Sequence, residues 1–129
     1  MSNLEKKNII VTGASGGIGN AIIKKLKEAG ANILASGTRI EKLEELKKNF
    51  ESIKILKFDI SQSDKIEEFI ENATSELGGS LDGIVNNAGI TQDNLAIRMS
   101  LDEWQKVINI NLTSTFLISK CAIKKMLKN

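Results

Sequence analysis

Apolar residues along this chain keep two rhythms that alternate. Short runs, Ile9-Ile10-Val11, Ala31-Asn32-Ile33-Leu34-Ala35, Ile53 to Phe58 and Leu81 to Val85, have the length and content of buried strands. Between them the spacing becomes helical. Ile18, Ala21, Ile22, Leu26 and Ala29 recur at three and four, predicting a first helix that ends at Gly30, a good C-cap. A second helix runs from about Ile40 with Leu43, Leu46 and Phe50 inward. A third carries Ile66, Phe69, Ile70, Ala73 and Leu77 and stops at Gly78-Gly79. After a loop from Asn86 to Arg98, Ser100 and Glu103 have capping-box spacing and open a long last helix. Its inward stripe is expected to hold Trp104, Val107, Ile108, Asn111, Thr115 and Ala122. Strands alternating with helices over short connections predict parallel βαβ units with right-handed crossovers. The fold class is therefore α/β, a doubly wound parallel sheet with helices on both faces. No internal repeat, low-complexity tract or linker interrupts it.

Composition narrows this picture in a few places. A length of 129 residues suits one domain, residues 1–129, and not two. With 41% hydrophobic and 26% charged residues the chain reads as an ordinary soluble globular protein. The net charge is +2, and the lysines are spread along the helices with acids between them. That describes a solvated surface and argues against nucleic acid as a partner. Met1 to Lys7 leads into only three apolar residues, so neither a signal peptide nor a membrane span is expected. The single cysteine, Cys121, excludes an internal disulfide, fits a cytoplasmic location and reads as a small helix-face residue. Histidine is absent, which removes the commonest metal ligand and general base, and no metal site is expected. Tyrosine is absent as well.

The candidate chemistry begins where the first strand meets the first helix. Thr12-Gly13-Ala14-Ser15-Gly16-Gly17-Ile18-Gly19 is a glycine-rich turn in the setting where backbone amides and a helix N-terminus hold a pyrophosphate. Gly13 suits the tight turn, Gly17 the approach of backbone to phosphate, and Gly19 close packing of helix on strand. The spacing is Gly-x-x-x-Gly-x-Gly, and it is no P-loop because no Gly-Lys-Ser/Thr follows. A glycine-rich connection without a ligand is the plainer alternative. At the end of the second strand, Ser36-Gly37-Thr38-Arg39 offers no carboxylate before Glu41. An acid there usually meets the ribose hydroxyl of NAD. Arg39, one of two arginines in the chain, suits the 2′-phosphate of NADP, or is simply a solvent-exposed helix-start residue. Asp59-Ile60 leaves the third strand where ligands sit in such sheets, although Asp59 also suits a cap of the third helix. Asn86-Asn87-Ala88-Gly89 leaves the fourth strand at the same edge, with amides and small residues that let a ligand approach backbone. Asn111 is an amide among inward-facing residues, which must find a hydrogen-bond partner and is also explained by a structural role.

Together Thr12 to Gly19, Asp59-Ile60, Asn86 to Gly89 and Asn109-Ile110-Asn111-Leu112 resemble the N-terminal half of the short-chain dehydrogenase/reductases. Within that family, Ala88 to Leu95 followed by Ile97-Arg98-Met99 resembles the bacterial 3-oxoacyl-(acyl-carrier-protein) reductases of fatty-acid biosynthesis. The resemblance implies a Rossmann-type sheet with strand order 3-2-1-4, truncated after the fourth strand and the long helix that follows it. It implies NADP(H) as cofactor: Gly13, Ala14, Ser15, Gly16, Gly17, Ile18 and Gly19 toward the pyrophosphate and adenosine ribose, and Thr38 and Arg39 toward the 2′-phosphate. Asp59 and Ile60 would flank adenine, and Asn87, Ala88 and Gly89 would contact the nicotinamide-side ribose. Many NADPH-dependent members carry Arg or Lys where this chain has Gly16, which leaves more of the phosphate's charge to Arg39.

Asn111 is the one catalytic residue the resemblance carries over, the amide that holds a water leading to the catalytic lysine. The family's Ser and its Tyr-x-x-x-Lys pair lie on the next strand and helix, and this sequence ends at Asn129 without any tyrosine. The resemblance thus implies the cofactor-binding half of a reductase, inactive alone, whose fourth strand and last helix are left partly uncovered. The implied partners are an acyl-carrier-protein-bound substrate and further copies in a homo-oligomer. The chain reads as a truncated gene product, an incomplete reading frame, or one half of a split enzyme, the last adding a separate C-terminal half as partner. The alternatives are a non-catalytic NADP(H)-binding or subunit-pairing module, or a short-chain reductase acting on another ketone or alcohol.

Overall fold

The computed structural model describes residues 4–14, 16–87 and 100–128, without the side chains at 104 and 106–111. In chain order it contains β1 (Asn8–Val11), α1 (Gly17–Glu28), β2 (Asn32–Gly37), α2 (Ile40–Asn49) and β3 (Lys54–Lys57). A 3-10 turn, Ser63–Lys65, leads into α3 (Ile66–Glu76), followed by β4 (Gly83–Val85) and α4 (Leu101–Met126). The strands form one sheet in the order β3-β2-β1-β4, every neighbouring pair parallel, as expected. The register sets Val11 beside Ala35 and beside Val85, so β1 and β4 end level and β2 runs two residues further at the same edge of the sheet.

The continuous apolar runs are explained by burial on both faces, the usual condition of parallel strands. Ile9, Val11, Ile33 and Ala35 point to one side and pack with Ile23, Leu43, Leu46 and Ile53. Ile10 and Leu34, one residue out of phase, point to the other and meet Ile66, Phe69, Ile70, Ile118 and Ala122. Thus α1 and α2 cover one face, and α3 and α4 the other.

Several expectations shift in phase or length. On α1 the buried residues are Gly19 and Ile23, while Ile18 is 71% exposed and Ala21 is exposed too. The reason lies at Gly19: a Cβ there would stand 2.6 Å from the Ala14 Cα. The helix therefore settles onto the loop through its glycine, and Ile18 is turned outward. On α4 the described buried line is Ser114, Ile118 and Ala122, and Thr115 of the expected stripe is exposed. β2 runs two residues further than its apolar pattern because Ser36 and Gly37 pair with Leu56 and Lys57 of β3. β4 is shorter than expected: Leu81 is buried and Asp82 accepts from the Asn8 amide (2.8 Å), both ahead of the paired segment. The chain ends of the helices follow the sequence more closely. Gly30 takes φ +93° just past the C-cap of α1. Ser100 Oγ accepts from the Glu103 amide (3.1 Å) and Glu103 accepts from the Ser100 amide (3.3 Å), a complete capping box. Among the described residues no helix is long and apolar enough to cross a membrane.

Candidate binding site at the carboxyl edge of the sheet

The loop after β1 is fixed by both neighbouring strand ends. The Thr12 amide donates to the Val85 carbonyl (3.0 Å), and the Thr12 hydroxyl donates to the same oxygen at 3.3 Å. That hydroxyl in turn accepts from the Asn87 amide at 3.1 Å. The Asn87 side-chain amide donates to the Gly13 carbonyl at 3.0 Å, and on the other flank the Ala14 amide donates to the Ser36 carbonyl at 2.9 Å. Gly13 has φ +61°, the left-handed region where a side chain is strained. The turn is therefore immobilised by β4 and β2 before α1 begins.

The start of α1 is bare. Its N-cap is Gly16, in extended conformation, which has no side chain to cap with, and no acid lies in the first turn. A helix beginning in this way presents unsatisfied N–H groups and the positive end of its dipole. A Cβ placed on Gly16 or Gly17 would meet nothing within 4 Å, so both glycines look onto open space, whereas Gly19 is packed against Ala14. Beside them a recess of about 200 Å³ opens between α1 and α2, lined among others by Ala14, Gly16, Gly17, Asn20, Lys42 and Glu45. Open amides, space beside the glycines and an exposed Ile18 fit a pyrophosphate-bearing ligand.

The ends of β2 and β3 complete the edge. Thr38 is exposed, and Arg39 is the N-cap residue of α2, its backbone carbonyl accepting from the amides of Lys42 (3.1 Å) and Leu43 (3.2 Å). The Arg39 side chain is 59% exposed and its Nε stands 3.9 Å from a Glu41 carboxylate oxygen, a loose surface pair. Asp59 does not cap α3, whose N-cap is Lys65. Its carboxylate instead accepts from the Ser61 amide (2.9 Å) and hydroxyl (2.8 Å), closing an Asx turn that shapes the exit of β3. Ile60 is buried, and its carbonyl accepts from the Ser114 hydroxyl of α4 at 2.7 Å. Asn86 donates to Ser119 Oγ, also on α4, at 3.1 Å.

The expected residues Gly13, Ala14, Gly16, Gly17, Ile18, Gly19, Thr38, Arg39, Asp59, Ile60 and Asn87 thus all follow or border the carboxyl ends of the strands. Ser15, Ala88 and Gly89 lie outside the described residues; Asn111 belongs to α4, but its side chain lies outside them too. Sequence reasoning missed the bridging role of Thr12 and the hold of Ser114 on Ile60. Thr12 follows the β1 run directly, and its burial (1% exposed) marks it as a residue that must find hydrogen-bond partners. Cys121 lies apart from this edge, in a hollow between α3 and α4, where burial first and then Glu67 push its thiol above the usual range. Among the described residues no cluster of acids and cysteine has the makings of a metal site.

Residues 7–129 match the family model described as short chain dehydrogenase. The chain is 40% identical over 121 residues to nodulation protein G of Rhizobium sp. (strain N33), covering 93% of this chain and 49% of that one. It is 40% identical over 130 residues to the 3-oxoacyl-(acyl-carrier-protein) reductase FabG of Rickettsia conorii, covering 100% of this chain and 52% of that one. The crystal structure of a Brucella melitensis protein titled a short-chain dehydrogenase/reductase (glucose/ribitol dehydrogenase) superposes with a TM-score of 0.82 at 32% identity, over 95% of this chain and 53% of that one. The chain spans about half the length of the curated relatives it matches.

Proposed function

This chain belongs to the short-chain dehydrogenase family, and from that premise we propose that its residues are the NADP(H)-binding half of a 3-oxoacyl-(acyl-carrier-protein) reductase, inactive alone. Membership in a dehydrogenase family implies a nicotinamide cofactor. The observation that carries the site is the bare, glycine-lined start of α1, at the edge of the sheet where β2 leads into Arg39. The choice of NADP(H) rests on Arg39 and on the lack of any carboxylate from Ser36 to Ile40. The acyl-carrier-protein-bound substrate rests on the resemblance of Ala88 to Met99 to the reductases of fatty-acid biosynthesis and on the name of the Rickettsia relative.

In this reading Gly13 to Gly19 hold the pyrophosphate and adenosine ribose, and Thr38 and Arg39 hold the 2′-phosphate. Asp59 and Ile60 flank adenine, and Asn87 to Gly89 meet the nicotinamide-side ribose. NADPH, when bound, supplies a hydride. The part of this chain is to hold and orient it: Thr12 and Asn87 fix the turn, and Ser114 fixes the Ile60 wall. Asn111 is the residue proposed to hold a water on the proton path. A ketone that takes up hydride becomes an alkoxide and needs a proton from a positioned acid. The 129 residues contain neither tyrosine nor histidine, and in this reading the acid is supplied from outside them.

A second reading is a non-catalytic NADP(H)-binding or subunit-pairing module, which the bare start of α1 and the braced turn before it would serve equally well. Titration with NADP+ and NAD+, followed by an NADPH oxidation assay with a 3-oxoacyl thioester, tests both. Binding with preference for NADP+, no turnover by the chain alone, and turnover on adding a C-terminal half are expected for the reductase half. Binding that never leads to turnover selects the module. Equal affinity for the two cofactors contradicts the NADP(H) assignment. Turnover by the chain alone that is lost in Asn111→Ala contradicts the division of labour.

A further inference from the structure

We propose that Lys42 is a second cation for the cofactor's 2′-phosphate and, with Arg39, sets the preference for NADP(H); this rests on the cofactor reading above. A phosphate monoester carries a charge of about −1.5 to −2 at neutral pH. One guanidinium leaves about a third to a half of that unmatched. The recess between α1 and α2 shows where the remainder is met. Its α1 side, Gly16 and Gly17, offers room and amides but no side chain. Its α2 side carries Lys42, the one cation among the described lining residues. Lys42 lies three residues after Arg39, so the two emerge on the same side of the first turn of α2, next to the ribose end of a dinucleotide laid across the glycines.

Nothing strong holds Lys42 elsewhere. Its Nζ stands 3.9 Å from a carboxylate oxygen of Glu45, with both side chains well exposed, and a pair of that kind contributes little. Exchanging Glu45 for a phosphate therefore costs little. Glu45 also lines the recess, so its own charge opposes the incoming dianion and competes for the lysine. This gives the two residues opposite signs: Lys42 promotes and Glu45 restrains binding of the phosphorylated cofactor, while a cofactor without the 2′-phosphate is indifferent to both.

The test is equilibrium binding of NADP+ and NAD+ to the whole 129-residue chain and to its Lys42→Met and Glu45→Gln variants, by calorimetry at low salt. Both side chains are exposed, and thermal unfolding of each variant is expected to match the unsubstituted chain. Lys42→Met should weaken NADP+ about ten-fold, the size of one charge-assisted contact, and leave NAD+ unchanged. Glu45→Gln should tighten NADP+ by a smaller factor and leave NAD+ unchanged. If Lys42→Met weakens both cofactors equally, or neither, while the unsubstituted chain still prefers NADP+, Lys42 is not a phosphate ligand although the cofactor reading stands. If the unsubstituted chain shows no preference for NADP+, both fall together.

Discussion

Two helices of this chain begin in opposite ways. α4 opens on Ser100 with a complete capping box and with Asp102 and Glu103 in its first turn. Its first amides are thus met by the chain's own side chains, and acids offset the dipole. α1 opens on Gly16 with no side-chain cap and no acid. One helix is finished within the protein; the other leaves its donors to solvent or a ligand. Stability does not favour the bare start, because a Ser or Asp in place of Gly16 would typically stabilise it by about a few tenths of a kcal/mol. A start left bare, walled by glycines and braced by Thr12 and Asn87, is suited to an anion, whereas the capped start is a structural joint.

Substitutions at the two starts should separate stability from binding. The largest effect is expected at Gly19, where a Cβ would come within 2.6–2.8 Å of the Ala14 backbone. Gly19→Ala should displace the turn, abolish dinucleotide binding and lower stability by about 1–3 kcal/mol, read from calorimetric titration and urea unfolding. Next comes Arg39→Ala, which should remove most of the preference for NADP+ over NAD+, about 1.5–3 kcal/mol, without changing the unfolding midpoint. Ser100→Ala should do the reverse. Loss of the cap costs about 1 kcal/mol in urea unfolding while leaving cofactor affinity unchanged. The smallest effect concerns Cys121 on α4. Because burial raises its thiol pKa, alkylation at pH 8 should be slower than for a free thiol, and adding NADP+ should not alter the rate.

The same contrast explains how much was legible beforehand. The parallel sheet, the four helices and the Ser100 capping box could all be read, because they follow from residue type and spacing within a few positions, whereas the strand order was implied by the family resemblance. The glycines were legible for a related reason: Gly13, with φ +61°, lies in the left-handed region that favours glycine, and only glycine fits against Ala14 at Gly19. Less legible was anything that depends on one element rotating against another. The outward turn of Ile18 and the burial of Ser114 in place of Thr115 depend on how closely a helix approaches the sheet. The choice for Asp59 between helix cap and loop turn depended on where the 3-10 turn begins, which periodicity does not reveal. Thr12 and Lys42 join the site through partners 75 residues away in one case and across a recess in the other, and short-range pattern says nothing of either.

The most direct measurement is amide hydrogen exchange, resolved to single residues, with and without saturating NADP+. If the bare start of α1 is the anion site, exchange at Gly16 to Gly19 should slow markedly on adding NADP+, while the first-turn amides of α4, at Leu101 to Glu103, stay as they were. Unchanged exchange at Gly16 to Gly19 in the presence of bound NADP+, or equal slowing at both helix starts, would contradict it.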